Sequence, residues 1–341
     1  MNTNVFKSLL CSWCISIASV AGAALVPTIN ITKLVDNADV IVMGTVVRIT
    51  DMGPTSVATF NNPVAGRMMS GEMLVDQVLG GPTTLSSVQF QFSVPSVAIG
   101  YRGVRSSSYR ILFLKRNGEH YEFVSPYYPS VVAIAGSRIQ SERPLDKVLE
   151  VIASVLRSPD ASEAQKREAI DTLWGVNNAL ATSGLRSMLQ QGARTVQLHA
   201  IQLHAAAALL AVGDISALPI AEEELLRPDA SLPPEALPNL RGGLSRGIMA
   251  DEAIPALARL LRQGDTETKR AAALALRRTH SPAALRPLAD ALNDADVEVT
   301  HNALMGFAET TGQPEWGPSM PTFLADRERY LAHWKDWMRN R

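Results

Sequence analysis

The sequence predicts an α+β protein of several domains, with a small N-terminal antiparallel β barrel or sandwich followed by a C-terminal α-solenoid. Three observations carry this prediction. Short segments rich in β-branched residues, separated by turn residues, cover residues 25–143, and a 3–4 spacing of apolar residues replaces them from Pro144 onwards. A stretch that begins at Asp265 then recurs at Asp296, an offset of 31 residues (296 − 265), which is typical of stacked helix pairs.

Residues 1–23 have the pattern of a cleaved secretory signal. Lys7 opens a short positive region, residues 9–20 are almost continuously apolar, and small residues follow at 21–24. The apolar run is too short for a comfortable permanent membrane span, so we expect cleavage after Ala23 or Ala24. An uncleaved N-terminal anchor is the alternative. The pattern predicts a periplasmic or secreted protein.

The only two cysteines, Cys11 and Cys14, lie inside this signal, so the processed chain would hold neither a disulfide nor a thiolate ligand. A hydrophobic core must then stabilise the fold, and a chain of this length can supply one. No later stretch is apolar and long enough to cross a membrane. The formal net charge of −1 gives no electrostatic reason to expect nucleic-acid binding.

Five or so strands are predicted before residue 143. Residues 88–94 alternate apolar and polar side chains, as a half-buried strand does, and Asn117-Gly118 predicts a hairpin turn. The other predicted strands are residues 39–49, 72–79, 109–114 and 120–124. Their spacing, with little helical pattern between them, is typical of a small barrel or sandwich.

About five helix pairs are predicted over residues 144–312. The first helix, residues 145–156, carries one apolar stripe, and Ser162 is a candidate N-cap for a helix over residues 164–180. Further helices are predicted near residues 185–191, 196–212, 215–226 and 234–248, before the two repeats. In residues 313–341, Tyr330, Trp334 and Trp337 share one helical stripe, which predicts an aromatic cap over the last pair.

The two repeat copies carry one signature, an Asp at the inter-helix turn, a basic residue, alanines, and a closing Leu or Phe. The copies are Asp265, Arg270, Ala272-Ala273 and Leu276, and Asp296, His301, Ala303-Leu304 and Phe307. This signature resembles HEAT repeats, particularly the short bacterial type also found in phycobilisome lyase-like proteins. The resemblance covers residues 250–312 well and 145–250 loosely. It implies a HEAT-like α-solenoid and indicates no particular activity.

The N-terminal part is similar to a β domain that precedes HEAT arrays in exported bacterial proteins. The matching elements are residues 38–46, 75–81 and 110–114, with Tyr121 following. Their layout resembles the OB-like barrel of netrin modules and tissue inhibitors of metalloproteinases. Those inhibitors depend on an N-terminal cysteine and a disulfide frame, which the processed chain would lack, so inhibition by that mechanism is not expected. An ordinary β domain without a ligand site is the alternative.

No residue pattern predicts a catalytic, cofactor or metal site. His199 and His204 are five residues apart, about 140° around a helix, so they do not share a face. The chain contains no His-Glu-x-x-His and no phosphate-binding glycine loop. Residues 243–247 match Gly-x-Ser-x-Gly in letters, but they lie within the predicted helix over residues 234–248 and form no nucleophile elbow, which requires a strand-to-helix turn. Glu222-Glu223-Glu224 is interpreted as a solvated helix face, and Gly242-Gly243 as a turn, with weak anion binding as the alternative.

Two surfaces are candidates for partner binding. Arginines interleaved with tyrosines beside a serine run predict a flexible loop over residues 101–110, which could bind through cation–π contacts and hydrogen bonds. The candidates there are Arg102, Arg105, Tyr109 and Arg110. On the concave face of the solenoid the candidates are Lys269, Arg270, Arg277 and His301. A solvated loop and ordinary solvated repeat positions are the respective alternatives.

The sequence therefore favours an exported, non-enzymatic interaction or scaffold protein that binds a protein or peptide partner through the solenoid. The first alternative is an enzyme, either of the lyase-like HEAT class or with a site in the cleft between the two parts. A structural role in envelope assembly, without a discrete ligand, is the second. We expect no cofactor, no nucleic-acid partner and no stable membrane span.

Overall fold

A computed structural model of the 341-residue chain describes residues 30–57, 63–82, 84–96, 104–125, 128–192 and 195–340. The predicted signal at residues 1–23 lies outside the described residues. An N-terminal sheet of six strands is followed by a helical region. This order confirms the predicted α+β class. Within the described ranges, no helix has the length and apolar character needed to cross a membrane.

A short helix, α1 (Ile31–Asp36), precedes the sheet. The strands are β1 (Val40–Val57), β2 (Val64–Gly80), β3 (Ser87–Pro95), β4 (Ser108–Asn117), β5 (His120–Phe123) and β6 (Ser130–Val132). Strand β1 pairs with both β2 and β4, β2 pairs with β3, and β5 joins β3 to β4. The pairing therefore runs β1–β2–β3–β5–β4 and returns to β1. Strand β6 pairs with residues 110–112 of β4, beside the part of β4 that pairs with β5. Among these strand pairs, β3–β5 is parallel and the others are antiparallel.

The start of β1 is buried on both faces, which explains why its sequence does not alternate. Val40 and Val42 pack inside the sheet with Phe90. Ile41 and Met43 point the other way and pack among residues of the helical region. Strand β3, in contrast, has one solvent-facing side, so its sequence alternates between buried and exposed residues as predicted.

Twelve helices follow in the described chain. They are α2 (Pro144–Arg157), α3 (Glu163–Leu173), α4 (Ala179–Leu189), α5 (Val196–Ala211), α6 (Leu218–Leu226), α7 (Ala236–Gly247), α8 (Ile254–Gln263), α9 (Thr266–Thr279), α10 (Leu285–Ala291), α11 (Val297–Thr311), α12 (Met320–Ala325) and α13 (Arg327–Arg339). From α2 to α11, consecutive helices form five pairs. The second members form a row, α3–α5–α7–α9–α11, in which each helix contacts the next.

The predicted helix over residues 164–180 is wrong in its second half. Helix α3 ends at Leu173, and Gly175 adopts a left-handed φ of 74°, a conformation that glycine tolerates without steric cost. Helix α4 then begins after Asn178, whose side chain accepts the Leu180 N–H as an N-cap. Apolar residues recur between Leu173 and Ala179 as well as within the two helices. Their spacing therefore did not show where α3 ends.

The sheet and the helices share one hydrophobic core. Ile111 of β4 and Val131 of β6 belong to the same buried cluster as Val148 of α2 and Ile170 of α3. This cluster continues along the helices to Trp334 of α13. The change at Pro144 is therefore a change of secondary structure inside a continuous core.

The last helix pair is covered by aromatic side chains of the C-terminal segment. Trp334 is fully buried, its ring stacks on Phe307 of α11 at 5.3 Å between centroids, and its indole N–H donates to the Trp316 carbonyl. Tyr330 is buried beside it, and Trp337 meets Phe307 edge to face. These rings supply the apolar surface that a further repeat would otherwise provide.

Helices α5 and α7 approach unusually closely, and two glycines of α7 permit this approach. A Cβ atom on Gly243 would lie 2.3 Å from the carbonyl oxygen of Ala207, and one on Gly247 would lie 2.1 Å from that of Leu210. Residues 205–210 of α5 are fully buried as a result. The predicted turn at Gly242-Gly243 is wrong, because both residues lie inside α7.

Adjacent glycines of α7 provide a matched test of this packing. Gly243→Ala should lower the free energy of unfolding by about 1–3 kcal/mol, because the new methyl group must displace backbone. At Gly242 no heavy atom lies within 4 Å of a new Cβ, so Gly242→Ala should be neutral or stabilising by up to about 1 kcal/mol. Urea unfolding of both variants measures the difference. Equal effects at the two positions would contradict the close approach.

Candidate functional site: the groove on helices α7, α9 and α11

Charged side chains connect each repeat in the C-terminal half to the next. Asp265 is the N-cap of α9 and Asp296 is the N-cap of α11, and each accepts backbone N–H groups of its own helix. Arg241 of α7 donates to Asp265 at 2.6 Å, and Arg270 of α9 donates to Asp296 at 2.6 Å. The aspartate that opens each repeat copy therefore uses one carboxylate for two contacts. It caps the second helix of its own pair and binds an arginine on the second helix of the pair before.

The pKa values of the capping aspartates reflect these contacts. The Arg270 hydrogen bonds lower the pKa of Asp296 to about 2, with backbone N–H donors adding to the effect and partial burial opposing it. Burial raises the pKa of Asp265, but hydrogen bonds from Thr268 and Arg241 outweigh it, so this pKa is also below its usual range. Both groups are therefore held in their charged form at neutral pH.

The four predicted binding residues of the helical region all have partners inside the molecule. Their side chains reach from one helix to the next helix or to the segment beside it. These contacts are Lys269 Nζ with Asp294 at 2.9 Å, Arg270 with Asp296, Arg277 Nε with Glu309 at 2.9 Å, and His301 Nε2 with the Pro318 carbonyl oxygen at 2.9 Å. The structure thus gives these side chains a role in joining repeats, in place of the solvated positions considered as the alternative.

Of the predicted N-terminal binding residues, Arg102 lies outside the described residues, and Arg105 is exposed. Tyr109 and Arg110 lie in strand β4, so the prediction of a flexible loop is wrong for both. The Arg110 guanidinium binds both carboxylate oxygens of Glu168 on α3, and its Nε donates to Ser130 Oγ at 3.0 Å. Arg110 therefore ties the sheet to the first helix pair.

Tyr109 also makes an internal contact. Burial, together with a hydrogen bond and the negative charge of Asp76, raises the pKa of the Tyr109 hydroxyl above its usual range. The predicted strand over residues 109–114 contains both residues and agrees with β4. The overlapping loop prediction over residues 101–110 extended too far.

A shallow groove of about 410 Å³ runs along the second-helix row. Its lining residues are Pro238, Arg241, Gly242 and Ser245 of α7, Glu267, Arg270, Ala271 and Leu274 of α9, and Glu298 of α11. Gly242 and Ala271 keep its floor open because their side chains are small. All of the lining residues come from the helical region, so the sheet does not fill this groove.

Carboxylates dominate the exposed part of the groove. The side chains of Glu267 and Glu298 are 59% and 53% exposed, whereas those of Arg241 and Arg270 are 18% and 34% exposed. With the two capping aspartates included, two arginines meet four carboxylates, which leaves a formal charge of −2. These glutamates are absent from the predicted binding residues of the helical region, which are all basic. Each glutamate lies two residues after a capping aspartate, and this shared position could have identified them.

A second recess, of about 370 Å³, lies on α3 near the sheet. Three of the four charged residues that line it are engaged in pairs that join α3 to other elements, and the fourth, Glu163, is exposed. Glu168 binds Arg110, Arg167 lies 3.7 Å from Glu235 at the start of α7, and Asp171 lies 3.0 Å from His204 of α5. In the described ranges, no three metal-ligating side chains cluster together. This arrangement favours a structural joint over a reaction centre.

The acidic run on α6 also differs from its interpretation as a solvated face. Glu224 is buried, 3.0 Å from His199 Nε2, and accepts the Asp229 N–H at 2.6 Å. Glu222 binds Arg259 of α8, while Glu223 stays exposed. Only part of the run is therefore available to solvent.

Comparisons with known proteins agree with this geometry. Residues 242–308, which hold most of the groove, match the family model of the HEAT repeats. This stretch of the helical region is therefore similar to HEAT repeats. Among curated proteins, none matches the chain significantly. One solved structure, an engineered protein from the Northeast Structural Genomics Consortium, is similar over 49% of this chain and 81% of its own, with 21% identity and a TM-score of 0.35. A likeness of that size carries no argument about function.

Two variants of Asp296 separate its capping role from its charge. Asp296→Asn keeps an oxygen that can cap α11, whereas Asp296→Ala loses both cap and charge, so the alanine variant should be less stable by about 1 kcal/mol. The native pKa of about 2 lies below the usual value near 3.9. The stabilisation from the charge is therefore complete above that usual value and is lost as pH falls towards 2.

Urea unfolding at pH 7, 4 and 2.5 measures both effects. Wild type should lose more stability between pH 4 and 2.5 than Asp296→Asn does, because the variant has no carboxylate to protonate at this position. Parallel losses in the two proteins would show that the Arg270 contact does not lower the pKa of Asp296.

Proposed function

We propose that this chain is an exported, non-enzymatic scaffold whose helical region is a HEAT-type α-solenoid that binds a protein or peptide partner. The observation that carries the proposal is the groove on α7, α9 and α11, which is open, acidic and lined by consecutive repeats. Neighbouring helices of a repeat array offer an extended polypeptide one continuous surface. Such a surface suits recognition of a chain more than enclosure of a small substrate.

The partner segment that fits this groove is extended and basic. The recessed arginines are already paired with the capping aspartates, so they shape the groove wall and add little attraction for an anion. Glu267 accepts a hydrogen bond from Arg270 Nη1 at 2.8 Å and Glu298 lies 3.4 Å from Arg270 Nε, yet both stand at the rim with more than half of each side chain exposed. Lysine or arginine side chains of a partner would meet these carboxylates, which gives specificity and salt sensitivity.

We also propose that β1–β5 form an OB-like barrel that closes the N-terminal end of the solenoid. The support is a pairing order that returns to β1 and contains one parallel pair, β3–β5. The outer faces of β4 and β6 contribute to the core with α2 and α3, and Arg110 fixes this contact through Glu168. In this proposal, the barrel serves as the terminal cap that a repeat array needs.

Selection from a phage-displayed library of random linear peptides tests the groove. With the full processed chain as bait, the enriched peptides should contain an excess of lysine and arginine. Their binding should weaken as salt rises, because exposed ion pairs are screened. Glu267→Gln combined with Glu298→Gln should lower the affinity roughly two- to tenfold, the range expected for losing two exposed pairs.

Two single variants complete this experiment. Gly242→Gln places a side chain in the groove without touching the helix core, so it should block binding while the protein stays folded. Glu223→Gln removes an exposed carboxylate from α6, on the other row of helices, and serves as the charge-matched control. Peptides that bind wild type, Gly242→Gln and the control equally would refute the groove as the binding site.

Export is proposed from residues 1–23 and has its own test. When the full chain is expressed in a Gram-negative bacterium, the periplasmic fraction should contain a protein that begins at residue 24 or 25. Intact-mass spectrometry identifies that N-terminus. Ile17→Arg, which interrupts the apolar run, should leave the uncleaved chain in the cytoplasm. Recovery of unprocessed wild-type chain from the cytoplasm alone would rule out a cleaved signal.

A further inference from the structure

A cavity opens at one end of the sheet, far along the chain from the helical groove. Strands β3 and β5 are bridged at two residue pairs, Phe90 with Tyr121 and Gln91 with Glu122. Strand β5 ends one residue later, whereas β3 continues to Pro95. The wall between these strands is therefore incomplete beyond Gln91 in the described structure, and a cavity of about 240 Å³ lies there.

The described residues that line the cavity are half apolar and half polar. The apolar ones, here called its floor, are Val57, Met68, Phe92 and Phe123, and the polar ones, here called its rim, are Ser56, Gln91, Ser93 and Glu122. The rings of Phe92 and Phe123 have their centroids 5.1 Å apart at an angle of 48°, and both pack against Phe90. Apolar and aromatic walls with a few polar groups are typical of small-molecule sites, including those at the mouths of barrels.

One carboxylate gives the cavity its charge. Among the described residues that line it, Glu122 is the charged one, and its side chain is 46% exposed. Its Oε1 accepts the Asn117 side-chain amide at 2.8 Å and lies 3.2 Å from His120 Nε2. Both contacts use the same oxygen, so among the described residues Oε2 has no hydrogen-bond donor and can accept from a ligand. A cation at this rim would also lie near aromatic rings, which attract cations through their faces.

We propose that this cavity binds a small aromatic cation, with its ring against Phe92 and Phe123 and a protonated amine donating to Glu122 Oε2. The volume is below the range of about 300–1,000 Å³ typical of sites for drug-sized ligands. At about 30 Å³ per water molecule, it corresponds to about eight waters, which suits a one- or two-ring group. This site is separate from the helical groove and does not depend on the function proposed for that groove.

Three probes with the same ring and different charge test the proposal on the full processed chain. Tryptamine is cationic, indole is neutral and indole-3-propionate is anionic. Dissociation constants from saturation-transfer NMR should rise in that order. Tryptamine should bind about two- to fivefold more tightly than indole, the range for a solvent-exposed ion pair. Absence of binding for all three probes, or equal affinity for all three, would overturn the proposal.

Variants on the rim and floor assign the contacts. Glu122→Gln should remove the preference for tryptamine over indole and leave indole binding unchanged, whereas Glu119→Gln, an exposed acid outside the cavity, should change nothing. Gln91→Arg, which brings the formal charge of the described lining from −1 to 0 and lies opposite Glu122 in the strand pair, should also remove the preference for tryptamine over indole. Phe123→Leu should weaken all three, and if that variant fails to fold, the charge variants still decide the outcome. An unchanged probe order in both Glu122→Gln and Gln91→Arg would place binding elsewhere.

Discussion

The repeat region depends on one interaction, the contact between a capping aspartate and an arginine of the second helix in the preceding pair. Each carboxylate satisfies N–H groups that open one helix and also holds a guanidinium from its neighbour, as Asp296 does with Arg270. Register between successive repeats is thereby fixed by polar geometry, while the alanine-rich faces only bring the helices close. Because several carboxylates share them, the arginines add little attraction for an anion. Glu267 and Glu298 also contact Arg270, but more than half of each of their side chains stays exposed.

A stack of helix pairs has two ends that its own repeats cannot cover. In this chain, strands pack against the first pair and aromatic side chains pack against the last. At the N-terminal end, β4 and β6 enter the core of α2 and α3, and the Arg110–Glu168 pair fixes their orientation. At the C-terminal end, the buried Trp334 and its neighbours cover α11. A strand buried on both faces, such as β1, follows from this architecture, because its outer side must supply the apolar surface for the first helix pair.

The sequence predicted what depends on period and local propensity, namely five of the six described strands before residue 143, the repeat offset and the inter-helix turns at Asp265 and Asp296. It failed where the outcome depends on a distant partner. The role of Gly243 follows from the carbonyl oxygen of Ala207, which lies 36 residues earlier (243 − 207). The contact of Arg110 with Glu168 could not be predicted, because Glu168 lies on a helix that the local sequence pattern cannot place next to a strand.

The charge of each recess determines the ligand proposed for it. At the groove this charge is negative, because the arginines are already paired with carboxylates. The overall charge is close to neutral, yet arginines and lysines of the repeats are used in joints between helices, so exposed carboxylates remain in excess at the groove. The cavity beside β3 reaches the same sign by another route, since Glu122 keeps one oxygen available after Asn117 and His120 contact the other. The partner proposed for the acidic groove is accordingly an extended basic chain, whereas the ligand proposed for the small aromatic cavity is a compact cation.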